Sequence, residues 1–344
     1  MAWMALPLTA LSVFLTRHQA EEERKKDESE KETDLFIKKY GISSSTKDTT
    51  RSEKMEHFSP KDKCDILLLG SGWISTFAVP VLVSKGFTVA ATTRKATPDD
   101  KFDRIEFTFD DSLDIDREVE KLPKARTVVV VFPIRGSERT SKLVDAYTRL
   151  KGNSQWIQLG SSGIWGTNDD LVSPWIDRFT PPDITNERCI AEQEMLSLST
   201  QERPTCVLNL AGLYGQERKP SNFLKRVQDK LETKGSVHFV HGVDVSRAIL
   251  LLHEAFTPGQ RWLLTDGRVH DWWNIALDKG EPDSIARVKV QALTRLLGIK
   301  ALPRPICETI PRDSNDKSHC LIRALDSSHF WTHFDEAPLS GGLS

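Results

Sequence analysis

The sequence predicts an α/β protein built on a doubly wound parallel sheet, with a small second lobe drawn from its C-terminal segments. Three observations carry this. A near-continuous apolar run, Cys64-Asp65-Ile66-Leu67-Leu68-Leu69, leads into a glycine turn and then a helical pattern. Further strand-like runs follow at intervals as far as Leu210. Helical patterns separate most of them, and that alternation joins parallel strands by crossovers rather than hairpins.

Composition admits this fold and removes other classes. The chain has 344 residues, enough for one large domain or two small ones. A net charge of −2 with 28% charged residues gives no global electrostatic reason to bind nucleic acid or an anionic membrane. No apolar run approaches the roughly 20 residues that cross a bilayer, so no integral span is expected.

The first strand runs into Gly70-Ser71-Gly72-Trp73-Ile74-Ser75, and residues 76–85 carry helical periodicity through Phe77, Val81 and Leu82. Residues 87–93 form the second strand. A G-x-G-x-x-S turn between a buried strand and a helix is a dinucleotide-binding arrangement, the Rossmann pattern. Gly70 permits the tight turn, and Gly72 lets the backbone approach a diphosphate resting on the helix N-terminus. Ser75 stands where a third glycine is usual. The second strand ends in Thr92-Thr93-Arg94-Lys95, with no acidic residue before Asp99. Hydroxyls and two cations suit a 2′-phosphate, so NADP is expected over NAD, with NAD the alternative.

The alternation continues through a strand at 104–109 ending in Asp110, a helix at 114–122, and a buried strand at 127–132 closed by Phe132 and Pro133. A helix at 141–150 follows, then strands at 155–159 and 205–210. Ligands in such sheets bind beyond the carboxyl ends of the strands. That rule gathers Gly70, Gly72, Trp73, Ile74, Ser75, Thr93, Arg94, Asp110, Phe132, Pro133 and Ser161 around one crevice as candidate cofactor-binding residues.

The series resembles the extended short-chain dehydrogenase/reductase superfamily, in its NAD-dependent epimerase/dehydratase group. The resemblance runs from about residue 63 to about residue 300. It rests on Gly70-x-Gly72-Trp73-Ile74, Gly160-Ser161-Ser162-Gly163-Ile164-Trp165-Gly166, the stretch from Leu208 through Gly212, Leu213 and Tyr214 to Gly215, and His241-Gly242-Val243-Asp244. It implies an oxidoreductase or epimerase-like enzyme acting on a small carbonyl or alcohol substrate.

The chain departs from the family at the chemistry. The family's Tyr-x-x-x-Lys pair falls on Ile184 and Arg188, so the usual proton-transfer group is missing and the protein resembles the atypical members. The substitute catalytic candidates are Ser162, Tyr214, Arg188 and His241, with Glu187 behind them. Arg188 could hold the cofactor ribose or a substrate anion but is a poor proton donor, Glu187 would lie at the surface, and a structural role stands against each of the other three. Ser162 would satisfy turn backbone, Tyr214 would pack under the cofactor, and His241 would pair with nearby backbone. Asp244 is expected to cap the helix running to Ala255. The alternative to an enzyme is a non-catalytic NAD(P)-binding, redox-sensing module. A Rossmann relic that binds nothing is the third reading.

Three segments are expected: a charged, disordered extension over 1–62, the dinucleotide-binding domain over 63–262, and substrate-lobe segments and a tail over 263–344. Tryptophans at 165, 175, 272, 273 and 331 are read chiefly as core. Residues 2–15 are apolar but lack a preceding cation and a cleavage motif. A cytoplasmic protein is expected, with a targeting or anchor role for that run as the alternative. Translation from Met55 is a further alternative. Cys64, Cys189, Cys206, Cys307 and Cys320 are odd in number and contain no C-x-x-C, which argues against disulfides and zinc and for a reducing compartment. No metal-ligand motif is present.

Overall fold

A computed structural model describes residues 62–95, 104–166, 173–311 and 318–339. The N-terminal apolar run, the charged stretch after it, Met55 and Asp99 lie outside these residues. In chain order the first half comprises β1 (Lys63–Leu69), α1 (Ser75–Ser84), β2 (Val89–Thr93), β3 (Arg104–Glu106), α2 (Ile115–Glu120), β4 (Lys124–Val130), α3 (Arg139–Lys151) and β5 (Gln155–Ser161). Then come β6 (Trp175–Ile176), α4 (Glu187–Ser197), β7 (Thr205–Leu210), β8 (Gly212–Tyr214), α5 (Leu224–Val227), β9 (Ser236–Val237), β10 (Phe239–His241) and α6 (Gly242–Glu254). The chain closes with β11 (Arg261–Leu264), β12 (His270–Asp271), α7 (Trp272–Lys279), α8 (Ile285–Leu296), β13 (Ala324–Leu325) and α9 (Ser328–His333).

Seven strands form one parallel sheet in the order β11-β7-β5-β4-β1-β2-β3. This is the doubly wound Rossmann arrangement, with its strand order reversing between β1 and β4. The period of two along β1 explains why that strand is apolar throughout. Ile66 and Leu68 face one layer, with Ala78 and Leu82 of α1 and Ala248, Ile249 and Leu252 of α6. Leu67 and Leu69 face the other, with Val119, Leu143, Tyr147 and Met195. Both faces are covered, so no polar alternation is needed.

A smaller core unites Tyr214, Leu224, Leu231 and Phe239 with Trp272, Trp273, Ile275, Ala286 and Val290. This is the second lobe, assembled from segments after β7 and after β11. Its anchor is Arg304, whose guanidinium grips Asp271 and stacks 3.8 Å over Trp273. The last helix returns to the main sheet, where Phe330 and Trp331 pack beside Trp262. Of the five tryptophans singled out above, Trp175 alone is well exposed, at 50%.

Three expectations change. The third strand stops at Glu106, not 109, because the Thr108 N–H turns to the Glu118 carboxylate at 2.9 Å instead of extending the ladder. The helix after β10 is capped by His241, not Asp244: the chain enters the helix one residue past His241, and its ring accepts the Val243 N–H at 3.2 Å. Cys307 and Cys320 form a disulfide, their Cα atoms 5.2 Å apart. They stand thirteen positions apart in the sequence, so no short motif announces the pair. Cys64, Cys189 and Cys206 are free and buried. Among the described residues no helix is long and apolar enough to cross a membrane.

Candidate functional site

The site begins where β1 ends. Gly70 has φ +98°, a left-handed conformation that favours glycine, and a Cβ there would lie 3.3 Å from the Phe132 ring. Thr92 at the end of β2 ties the turn down. Its hydroxyl accepts the Gly70 N–H at 2.8 Å and its carbonyl accepts the Ser71 N–H at 2.5 Å. The next three N–H groups, of Gly72, Trp73 and Ile74, donate to no acceptor among the described residues. A Cβ on Gly72 would meet nothing within 4 Å. Ser75 is fully buried and its hydroxyl donates to the Gly72 carbonyl at 2.7 Å, so serine fills the third position and braces the turn. The result is a row of donors without an acceptor among the described residues at a helix N-terminus, with open space over Gly72, the chemistry of an anion cradle.

Thr93 ends β2 and Arg94 follows it, with Arg94 exposed and the Thr93 hydroxyl donating to the Lys95 carbonyl at 3.2 Å. Asp110 organises its own loop. Its carboxylate accepts the Ser112 hydroxyl at 2.6 Å and N–H at 2.9 Å, and these bonds, the hydroxyl's first, hold it below the usual carboxylate range. Phe132 stacks on Phe109 with centroids 5.6 Å apart, and Arg139 lies 5.2 Å over Phe109. Pro133 is exposed beside them.

Beyond β5 a single 3-10 turn (Ser162–Ile164) presents Ser162, half-buried. The Ser161 hydroxyl accepts the Gly163 N–H at 3.1 Å, and the Ser161 N–H donates to Glu192 at 3.1 Å. Glu192 is fully buried, pairs with Arg261, and accepts from the Asn209 amide at 2.7 Å. The network forces glycine at 160, where a Cβ would lie 2.6 Å from both Glu192 and Asn209. Arg323 reaches in from the C-terminal segment and donates to the Ser162 and Trp165 carbonyls, each at 3.0 Å.

Arg188 extends from α4 toward the same strand ends and donates to the Leu159 carbonyl at 3.1 Å. Its Nε is buried with no hydrogen-bond partner. Burial draws its protonation downward, Glu192 opposes this, and Arg135 adds to it. Arg135 is held close because the neighbouring Gly136 N–H donates to the Glu187 carbonyl at 3.0 Å. The Glu187 side chain is exposed. Ile184, at the Tyr position of the resemblance, is 79% exposed and offers no titratable group.

Tyr214 is buried in the second lobe's core, its ring 5.9 Å from Phe239 and 5.0 Å from His241. Because His241 Nδ1 accepts a backbone N–H, the neutral ring carries its proton on Nε2. Burial lowers the His241 pKa, with Asp244 opposing. The ring packs 5.4 Å from Phe77, and Cβ atoms at Gly215 and Gly242 would collide with His241 and Phe77 at 2.5 and 2.4 Å. Asp244 is buried, paired with Arg247 at 3.0 Å and accepting the Leu339 N–H at 3.0 Å.

The parallel sheet sets the glycine turn, Thr93, Arg94, Asp110, Phe132, Pro133, Ser161 and Ser162 at or beyond the carboxyl ends of its strands. Sequence reasoning missed Phe109, Arg139, the Glu192–Asn209–Arg261 network and Arg323. A buried polar residue at a strand or helix position, as at Asn209 and Glu192, was the only signal for any of them. Among the described residues no three metal-ligating side chains converge.

The fold is shared with solved structures of short-chain dehydrogenase/reductase and epimerase/dehydratase proteins. MoeE5 in complex with UDP-glucose and NAD is 18% identical, with 80% of this chain and 94% of that one covered at a TM-score of 0.53. RMD from Pseudomonas aeruginosa complexed with NADPH is 12% identical, covering 81% and 96%, at 0.51. A short-chain dehydrogenase/reductase superfamily protein from Agrobacterium tumefaciens with bound NAD is 12% identical, covering 79% and 92%, at 0.51. No family model and no curated protein matches the sequence.

Proposed function

We propose that the chain binds a nicotinamide dinucleotide, NADP(H) in preference to NAD(H), and is an atypical oxidoreductase or epimerase-like enzyme for a small carbonyl or alcohol substrate. One observation carries the reading. At the head of α1 the successive N–H groups of Gly72, Trp73 and Ile74 donate to no acceptor among the described residues, and a Cβ on Gly72 would meet nothing within 4 Å. Such a row fits the two charges of a diphosphate. The neighbouring structures that hold NAD or NADPH support the same reading.

In this reading Arg94, with Thr93 and Lys95, takes the 2′-phosphate, since Arg presents a fork of donors to phosphate oxygens. Asp110, Phe132 and Phe109 border the adenosine half, and Pro133 and Ser161 the nicotinamide half. Bound nicotinamide supplies hydride exchange at its C4 atom. Ser162 orients a substrate oxygen, held in place by Glu192 through Ser161 and by Arg323 through its own carbonyl. Arg188 binds the cofactor ribose or an anionic group of the substrate. As an arginine it stays protonated and is a poor proton donor. Ile184 cannot move a proton at all. Tyr214 and His241 lie in packing roles, so the proton passes through water. The second lobe closes the substrate side of the crevice.

The test is a titration of the protein with NADPH and with NADH, following quenching of tryptophan emission. Micromolar binding with NADPH preferred is the expected result. No binding of either by folded protein rejects the reading. The exposed Ile184 favours a second reading, a redox-sensing binder without turnover. Tight cofactor binding combined with no NADPH consumption across a panel of aldehydes and ketones would support that one.

A further inference from the structure

We propose that Arg218, in the segment feeding the second lobe, is a diphosphate clamp that closes over the glycine turn. This rests on the dinucleotide reading above. The guanidinium of Arg218 lies over the Trp73 ring, 4.6 Å from its centroid. Trp73 is the middle residue of the Gly72–Ile74 donors. A cation therefore stands beside a row of backbone donors that find no acceptor among the described residues.

The placement is built. Gly215 and Arg218 exchange two backbone hydrogen bonds, each at 3.1 Å, closing a tight hairpin. Gln216 inside it has φ +52° and accepts from the Thr76 hydroxyl of α1 at 3.2 Å. Gly215 sits against His241 and Phe77, and Phe77 packs 4.7 Å from Trp73. The hairpin is thus held against α1 on one side while Arg218 reaches the turn on the other. Arg218 is exposed and makes no ion pair among the described residues. A cation stacked on indole without a carboxylate partner keeps its charge available to an incoming anion. The Trp73 indole N–H is buried with no hydrogen-bond partner, so the ring is held by packing and by Arg218.

A diphosphate on the Gly72–Ile74 donors would take Arg218 as its second contact. The second lobe would then be fastened to the cofactor, closing the crevice when nucleotide arrives. Nothing in the motif requires this arginine, because the glycine turn alone provides the backbone donors.

The experiment titrates wild type, Arg218→Ala and Arg218→Lys with ADP and NADPH at two salt concentrations, with melting temperature read alongside. The expected result is a loss of roughly tenfold or more for Arg218→Ala with both ligands, the size of one charge-assisted hydrogen bond. The loss should shrink at high salt, and the melting temperature should hold, since the side chain is exposed. Arg218→Lys keeps the charge and should recover most of the affinity. Wild-type affinity in Arg218→Ala overturns the clamp and leaves the dinucleotide reading intact. Failure of wild type to bind either ligand overturns both. Should Arg218→Ala not fold, Arg218→Lys and the salt dependence of the wild type decide: no salt dependence overturns the clamp.

Discussion

Glu192 and Arg261 meet in a buried ion pair directly beneath Gly160, Oε2 to Nη1 at 2.5 Å. The pair joins a helix to the last strand of the sheet, and through the Ser161 N–H it fixes the turn that presents Ser162. Removing one partner leaves the other buried and uncompensated. Glu192→Ala is expected to cost about 3–5 kcal/mol, read as a shift of the urea midpoint. A cost below about 1 kcal/mol would show that the turn does not depend on the pair.

Gly72 and Gly70 separate ligand binding from folding. Gly72→Val places its side chain in open space, so the melting temperature should stay near wild type while NADPH affinity is lost. Gly70→Ala must hold φ +98° beside Phe132 and is expected to cost about 1–2 kcal/mol of stability. Retained NADPH binding in folded Gly72→Val would remove the diphosphate assignment.

Arg94→Asp should invert the cofactor preference. The carboxylate repels a 2′-phosphate and accepts from a ribose hydroxyl, so the ratio of NADPH to NADH dissociation constants should rise by at least about tenfold. An unchanged ratio places the 2′-phosphate elsewhere or shows that none is recognised.

Stability should fall as the solution is acidified. Burial is the largest cause holding His238 down to about 3 and His253 to about 4, both from an ordinary value of 6.5. The unfolded chain therefore binds these protons first, and below pH 6.5 stability is lost as pH falls toward those values. Each histidine adds up to about 1.4 kcal/mol per pH unit in that window. His238 Nε2 accepts the Leu325 N–H at 2.9 Å, so protonation also breaks a tie to β13. Urea titrations at pH 7 and pH 5 check the slope, and His238→Gln should flatten it.

Thiol labelling of denatured, unreduced protein should count three cysteines, and five after reduction. The bond joins residues thirteen positions apart and so is expected to contribute about 3 kcal/mol. A melting temperature unmoved by reductant would show that the closed loop leaves folding unaffected.

The sheet was legible because its strands are buried on both faces and therefore read as apolar runs. The glycine turn was legible because one backbone conformation admits few residues. The helix cap was misread because His241 and Asp244 both bear acceptors near the helix start, and only the position of entry decides between them. Arg323 and Ser162 lie 161 residues apart, and no local pattern records such a contact. The same holds for Arg218 over Trp73 and for the disulfide. What sequence periodicity captures is which face is covered. Which arginine crosses from one lobe to the other is set by the third dimension alone.

The packing of Phe77 against Gly242 constrains how this site can diverge. The ring fills the space a Cβ at 242 would need, and it touches Trp73 on one flank and His241 on the other. Neither residue can be exchanged singly: alanine at 242 calls for a smaller residue at 77, and a smaller residue at 77 leaves Trp73 unsupported. In relatives of this chain positions 77 and 242 should covary, and directed evolution toward a new ligand should stall unless a library varies both codons together.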